Sequence, residues 1–198
     1  VMMGMGEPLD NFDNAMRFLE LVGDGKGLNL SLRNISLSTC GVVPRIYDLM
    51  ERHLQLTLSV SLHAPNNEMR SKTMPINKKY PIEELLKACR EYTKRTSRRI
   101  SFEYAMIKDV NDSDACAYEL AALLKGMLCH VNLIPANEIV ESSHKRSTNE
   151  RLESFIKILN SRGINATVRR SLGSDIDASC GQLRSRHNRE ISEKEGNK

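Results

Sequence analysis

Five short runs hold the side chains that could do chemistry. Gly6 and Glu7 fall in Gly-Met-Gly-Glu-Pro, Ser38 in Leu-Ser-Thr-Cys, and Ser61, Leu62 and His63 in Ser-Leu-His-Ala-Pro. Asn137 closes Asn-Leu-Ile-Pro-Ala-Asn, and Cys180 lies in Asp-Ile-Asp-Ala-Ser-Cys-Gly-Gln-Leu. A carboxylate next to a glycine, where a ligand can approach the backbone closely, suits an ammonium group. It equally suits a helix N-terminus, whose dipole favours negative charge. Hydroxyl, imidazole and amide groups converging at strand ends suit a ribose, an adenine edge or an amino-acid head group, although each alone also caps turns. Cys180 stands outside any periodic apolar run, between Ser179 and Gly181, so burial as a small hydrophobe explains it less well than it explains Cys89 or Cys129.

Metal chemistry finds no support in the spacing. The five cysteines, at 40, 89, 116, 129 and 180, and the five histidines show neither zinc nor iron–sulfur spacing, so no metal ligand is predicted. His53, His130, His144 and His187 are given no role.

The elements that must position these groups alternate between two periodicities. Apolar runs at 1–5, 33–39, 55–62, 100–107, 129–135 and 164–170 read as strands. Between them, Phe12, Ala15, Met16 and Leu19 recur at helical spacing after Asn11, and residues 42–53 and 112–128 read as further helices. Pro81 opens an amphipathic helix carrying Ile82, Leu85, Leu86 and Cys89. Ser147-x-x-Glu150 is a capping box for one more. Strands separated by helices imply the α/β class, parallel pairing and right-handed crossovers. The first four runs follow or end apolar stretches, which is where an α/β barrel places its chemistry. An open dinucleotide fold is disfavoured, because Gly4 and Gly6 lack the third glycine of its fingerprint.

Bulk properties bound the rest. With 40% hydrophobic and 27% charged residues, the chain has ordinary globular composition. It has no run long enough to span a bilayer and no secretory signal, so no membrane partner and a cytoplasmic site with reduced thiols are expected. A net charge of +4 permits a nucleic-acid partner without establishing one. The basic residues between Lys87 and Arg99 read first as a solvated helix face. Residues 184–198 form a charged tail with little to bury, leaving 1–183 as one domain.

In this order the runs resemble the radical S-adenosylmethionine RNA methyltransferases of the RlmN/Cfr type, from Val1 to about Leu183. The likeness extends through the run from Arg70 to Tyr80, Phe102-Glu103-Tyr104 and Asn111-Asp112-Ser113. It implies a partial (β/α)6 TIM-like barrel lacking its first strand. It also implies that Gly6, Glu7, Ser38, Ser61, Leu62, His63 and Asn137 bind S-adenosylmethionine, and that Cys180 is the cysteine that becomes S-methylated. The activity implied is methylation of C2 of an adenine in 23S ribosomal RNA and in transfer RNA. In that family a [4Fe-4S] cluster, fed by an electron donor, cleaves a second S-adenosylmethionine to a radical that activates the S-methyl group. C8 methylation of the ribosomal adenine, as in the Cfr branch, and a non-catalytic RNA- or nucleotide-binding barrel are the alternatives.

One departure from the family pattern is large. The Cys-x₃-Cys-x₂-Cys run that holds the family's cluster is absent, and the chain opens in mid-strand. The expectation is therefore a C-terminal fragment, inactive alone, with Cys40, Cys89, Cys116 and Cys129 structural.

Overall fold

The alternation of periods is realised as a parallel α/β sheet. The computed structural model describes residues 1–136 and 145–169. Within them run α1 (Phe12–Gly23), β1 (Ser36–Thr39), α2 (Val43–Glu51), β2 (Thr57–Ser61), α3 (Asn67–Thr73), α4 (Ile82–Thr96), β3 (Ile100–Met106), α5 (Asp114–Leu124), β4 (Cys129–Pro135), α6 (Asn149–Ser161) and β5 (Ala166–Val168). The strands pair in chain order, β1-β2-β3-β4-β5, every pair parallel, with helices as crossovers. This is the architecture of a partial TIM-like barrel. Among the described residues no helix is long and apolar enough to cross a membrane.

The two faces of the sheet differ in chemistry. Side chains alternate along a strand, and Leu37, Leu58, Val60, Phe102, Tyr104, Val131 and Leu133 are fully buried in one continuous apolar core. Burying each such side chain contributes roughly 1.5–3 kcal/mol. The alternate positions carry Ser36, Ser59, Ser61, Ser101, Glu103, Asn132 and Thr167. Register places Ser61 beside Glu103, Glu103 beside Asn132, and Asn132 beside Thr167. A parallel sheet covered by helices on both sides reads apolar throughout; a polar inner face fits a barrel lumen that handles polar ligands.

Four local features differ from expectation. Residues 1–5 form no full strand; Met2 alone bridges to Leu37, donating to the Ser36 carbonyl at 2.7 Å and accepting from Ser38 N–H at 3.1 Å. Gly4 and Gly6 cause this, since their φ values of +145° and +105° take the chain out of strand conformation. Helix α6 is capped by Thr148, whose hydroxyl accepts from Arg151 N–H at 3.3 Å, while Ser147 Oγ is buried with no partner among the described residues. Helix α5 begins at Asp114 behind the cap Ser113, because Asp112 Oδ1 is held in the preceding turn by Asp109 N–H at 3.0 Å. Helix α3 has no apolar periodicity to announce it; Asn66 Oδ1 caps it by accepting from Met69 N–H at 2.9 Å.

Candidate functional site

A cavity of about 770 Å³ opens at the C-terminal ends of β1 and β2 and over the start of α1. Its lining includes Gly6, Glu7, Ser38, Thr39, Cys40 and Ser61, with Asn11 and Asn14 from the start of α1, and an apolar side of Met2, Met5 and Phe18. Glu7 is fixed from two directions. Its Oε1 accepts from Leu9 N–H at 3.0 Å and its Oε2 from Cys40 N–H at 2.7 Å. Leu9 is fully buried, so the carboxylate is tied both to the core and to the end of β1. The carboxylate keeps lone-pair capacity beyond these two bonds for a ligand donor. At Gly6 the positive φ, rather than crowding, calls for glycine, as a Cβ there would meet nothing within 4 Å.

Behind this wall lies a fully buried cation. The Arg70 guanidinium donates from Nη2 to the Cys40 carbonyl at 2.7 Å and the Ser61 carbonyl at 3.1 Å. Nε donates to the Leu62 carbonyl at 3.3 Å, and Nη1 to Asn77 Oδ1 at 3.1 Å. Asn77 in turn donates to Ser71 Oγ at 2.8 Å and Asn67 Oδ1 at 3.0 Å, and that same Asn67 oxygen accepts from Ile82 N–H at 2.9 Å, closing the N-terminus of α4. Gly41 has no room for a side chain: a Cβ would stand 3.0 and 3.1 Å from the Leu85 methyls and 3.4 Å from Arg70 Nη2.

His63 turns the chain after β2 in the left-handed region, with φ of +58°. Its Nδ1 accepts from Ala105 N–H at 3.0 Å, and its carbonyl accepts from Asn111 Nδ2 at 2.8 Å. That places the ring proton on Nε2. Burial, helped by the Arg70 charge, lowers its pKa from 6.5 to about 4, so the ring is neutral at physiological pH.

A glutamate-bearing pocket at the strand ends of a parallel partial barrel now stands beside the similarities to known proteins. Residues 1–121 match the Radical SAM superfamily. The chain belongs to that superfamily. Among curated relatives, the probable dual-specificity RNA methyltransferase RlmN of Caldanaerobacter subterraneus subsp. tengcongensis is 55% identical over 190 residues, 96% of this chain and 56% of the relative. The similarly named protein of Clostridium tetani is 56% identical over 187 residues, 94% of this chain and 54% of the relative. The chain thus spans about half the length of the curated relatives it matches. A radical SAM methyltransferase from Sphaerobacter thermophilus superposes with a TM-score of 0.89 at 52% identity, covering 93% of this chain and 54% of that one. A domain of pyruvate-formate lyase-activating enzyme from Bacteroides vulgatus shares the fold at a TM-score of 0.63 and 17% identity, over 86% of this chain and 98% of that one.

Within this radical SAM barrel, Gly6, Glu7, Ser38 and Ser61 line one cavity. Leu62 and His63 do not line it; Leu62 is fully buried, and both residues donate their backbone N–H to the Glu103 carbonyl, at 3.0 and 3.2 Å. Asn137 and Cys180 lie outside the described residues, as does the charged tail. Two residues that sequence reasoning left without a role stand close to the site. One is Arg70. The other is Glu103, 6% exposed, whose Oε1 accepts from Ser101 Oγ at 3.2 Å and Oε2 from Asn132 Nδ2 at 2.8 Å. In sequence Glu103 shows as a charged residue inside a strand run and as part of the Phe102-Glu103-Tyr104 likeness, neither of which gives it a role.

Three of the six basic residues between Lys87 and Arg99 make structural contacts. Arg90 donates to the Leu123 and Lys125 carbonyls, Arg95 pairs with Glu51 at 2.9 Å, and Arg98 donates to the Leu56 carbonyl. Arg98 and Arg99 directly precede β3, at the sheet end away from the pocket.

The cavity fits S-adenosylmethionine: its volume is of cofactor size, and it offers a carboxylate, hydroxyls and an apolar wall. A [4Fe-4S] cluster finds no fit. Among the described residues no metal-holding group of cysteine, histidine and carboxylate side chains exists. The Cys40 thiol is pushed up to about 12, first by burial and then by hydrogen bonding to Glu7, and burial raises Cys89 to about 12 and Cys129 to about 11. These thiols stay protonated. Cys40 should therefore alkylate with iodoacetamide at pH 8 at least about a hundredfold more slowly than a free cysteine peptide. Peptide mapping by mass spectrometry reads this, and labelling at the free-peptide rate would contradict it.

Proposed function

We propose that this chain is the S-adenosylmethionine-binding barrel of an RNA methyltransferase that methylates C2 of an adenine in 23S ribosomal RNA and in transfer RNA, in the cytoplasm. The observation that carries the reading is Glu7, gripped by two backbone N–H groups at the mouth of a cavity that also receives Ser38 and Ser61. The names of the relatives supply the RNA class, and the superfamily implies a [4Fe-4S] cluster, which an electron donor would feed.

When bound, S-adenosylmethionine supplies an electrophilic methyl group on sulfur. Glu7 would accept from the ligand's ammonium, and Gly6 lets the ligand come against the backbone. Ser38 and Ser61 would hydrogen-bond its polar edges, Asn137 would add an amide, and Leu62 and His63, which lie behind the cavity, would hold the end of β2 through their N–H bonds to the Glu103 carbonyl. C2 of adenine lies between two electron-withdrawing ring nitrogens and is a poor nucleophile, so direct displacement by the base is closed to it. A thiol can take the methyl group instead. Cys180 would take the methyl group on Sγ as the donor's S–CH₃ bond breaks, its thiol proton passing to solvent.

The test is mass spectrometry of the full-length protein made in cells. A methyl group on Cys180 is the expected result. An unmodified Cys180 under methylating conditions would overturn the reading in favour of a nucleotide-binding barrel.

A further inference from the structure

Arg70 is a fully buried guanidinium with no carboxylate partner among the described residues. A buried charge of this kind is costly unless its donors are satisfied, and four of its five N–H donors are hydrogen-bonded among the described residues. Three of them end on main-chain carbonyls at the mouths of two adjacent strands: Cys40 after β1, Ser61 at the end of β2, and Leu62 after it. Strand ends beyond the last ladder bond leave such carbonyls without partners, and a single planar fork reaches all three.

Cys40 is the link to the ligand side. Its N–H donates to Glu7 Oε2 at 2.7 Å, and its carbonyl accepts from Arg70 Nη2 at 2.7 Å. The carboxylate and the guanidinium thus grip one residue from opposite edges, and each orients the backbone groups that the other uses. The missing side chain at Gly41 leaves the space that Arg70 Nη2 and Leu85 occupy. Asn77 fixes the far side of the guanidinium and is itself anchored to Asn67 and Ser71.

We infer that Arg70 is a positioning residue for the amino-acid head of S-adenosylmethionine: by clamping the Cys40 and Ser61 carbonyls it presets the Cys40–Glu7 contact that aims the carboxylate into the cavity. This rests on the proposed reading of the pocket. It also predicts a selectivity that general loosening of the fold would not produce. A ligand with the ammonium group should feel the loss of Arg70, and a ligand without it should not.

The experiment is calorimetric titration of the full-length protein with S-adenosylmethionine and with 5′-methylthioadenosine, which keeps the nucleoside and lacks the amino-acid head. Arg70→Lys keeps the charge and loses the fork. It should weaken S-adenosylmethionine binding roughly tenfold and leave methylthioadenosine within about twofold. Once Glu7 is Gln, adding Arg70→Lys should weaken S-adenosylmethionine no further, because coupled residues are non-additive. Equal loss for both ligands, or additive losses with Glu7→Gln, would overturn the positioning role. If Arg70→Lys shows no cooperative melt, Asn77→Ala decides; it frees Nη1 while leaving the three carbonyl bonds of the guanidinium, and it also removes the bonds to Asn67 and Ser71. A smaller loss confined to S-adenosylmethionine supports the role, and unchanged or equally weakened binding of both ligands overturns it. Should Glu7→Gln bind S-adenosylmethionine as tightly as the parent, the ammonium reading of the pocket fails first, an outcome separate from failure of Arg70 alone.

Discussion

Cys180→Ala in the full-length protein is expected to abolish methyl transfer to RNA, by roughly 10⁴-fold or more, while S-adenosylmethionine affinity stays within about twofold of the parent. The argument is chemical. A methyl group cannot pass from sulfonium to a carbon as electron-poor as adenine C2 without an acceptor that is both a good nucleophile and a good carrier, and alanine is neither. Cys180→Ser should be inactive as well, since an unactivated hydroxyl is a weak nucleophile. Transfer of a labelled methyl group to ribosomal RNA measures the first quantity and calorimetry the second. Retained product with either variant would remove Cys180 from the chemistry.

The second large effect is on stability against pH. His63 keeps a neutral ring with Nδ1 accepting from Ala105 N–H at 3.0 Å, and it loses that acceptor if protonated. Burial first, and the Arg70 guanidinium second, lower its pKa from 6.5 to about 4. Between those values the unfolded chain binds the proton and the native state does not, so stability rises with pH through this window. The contribution is whole above pH 6.5 and is lost as pH falls toward 4. Across the full shift it amounts to roughly 3 kcal/mol, or about 6–12 °C in melting temperature for a chain of this size. His130, which burial also lowers, titrates with the same sign, so the difference from a variant isolates His63. In His63→Asn, whose side chain tolerates the left-handed backbone and does not titrate, the slope over this window should flatten by that amount. Parallel melting curves for parent and variant between pH 6.5 and 4 would show that His63 does not titrate as described.

The sheet was legible because its strands are apolar on the helix side and end in turn-forming polar residues. The expected run 100–107 corresponds to Ile100–Met106 and 129–135 to Cys129–Pro135, and the shorter edge strands Ser36–Thr39 and Ala166–Val168 lie inside longer expected runs. The five apolar residues at 1–5 misled because two of them, Gly4 and Met5 with Gly6 following, sit in a segment whose glycine φ values forbid a straight ladder. Four of the expected pocket residues could be found because small polar groups at strand ends mark a barrel's working face. Arg70 could not. In sequence it is a charged residue among Asn67, Glu68, Ser71 and Lys72, the composition of a solvated turn, and only the fold reveals that three strand-end carbonyls converge on it. Glu103 was hidden for the opposite reason: its neighbours Phe102 and Tyr104 are so firmly core that the strand signal swamps it.

The chain-order pairing from β1 to β5 also shapes how the molecule can assemble. Among the described strands, each one after β1 pairs with the strand synthesised just before it, so each new unit closes only a short loop onto an edge already in place. Growth of the sheet can therefore keep pace with the emerging polypeptide, with the newest strand always the open one.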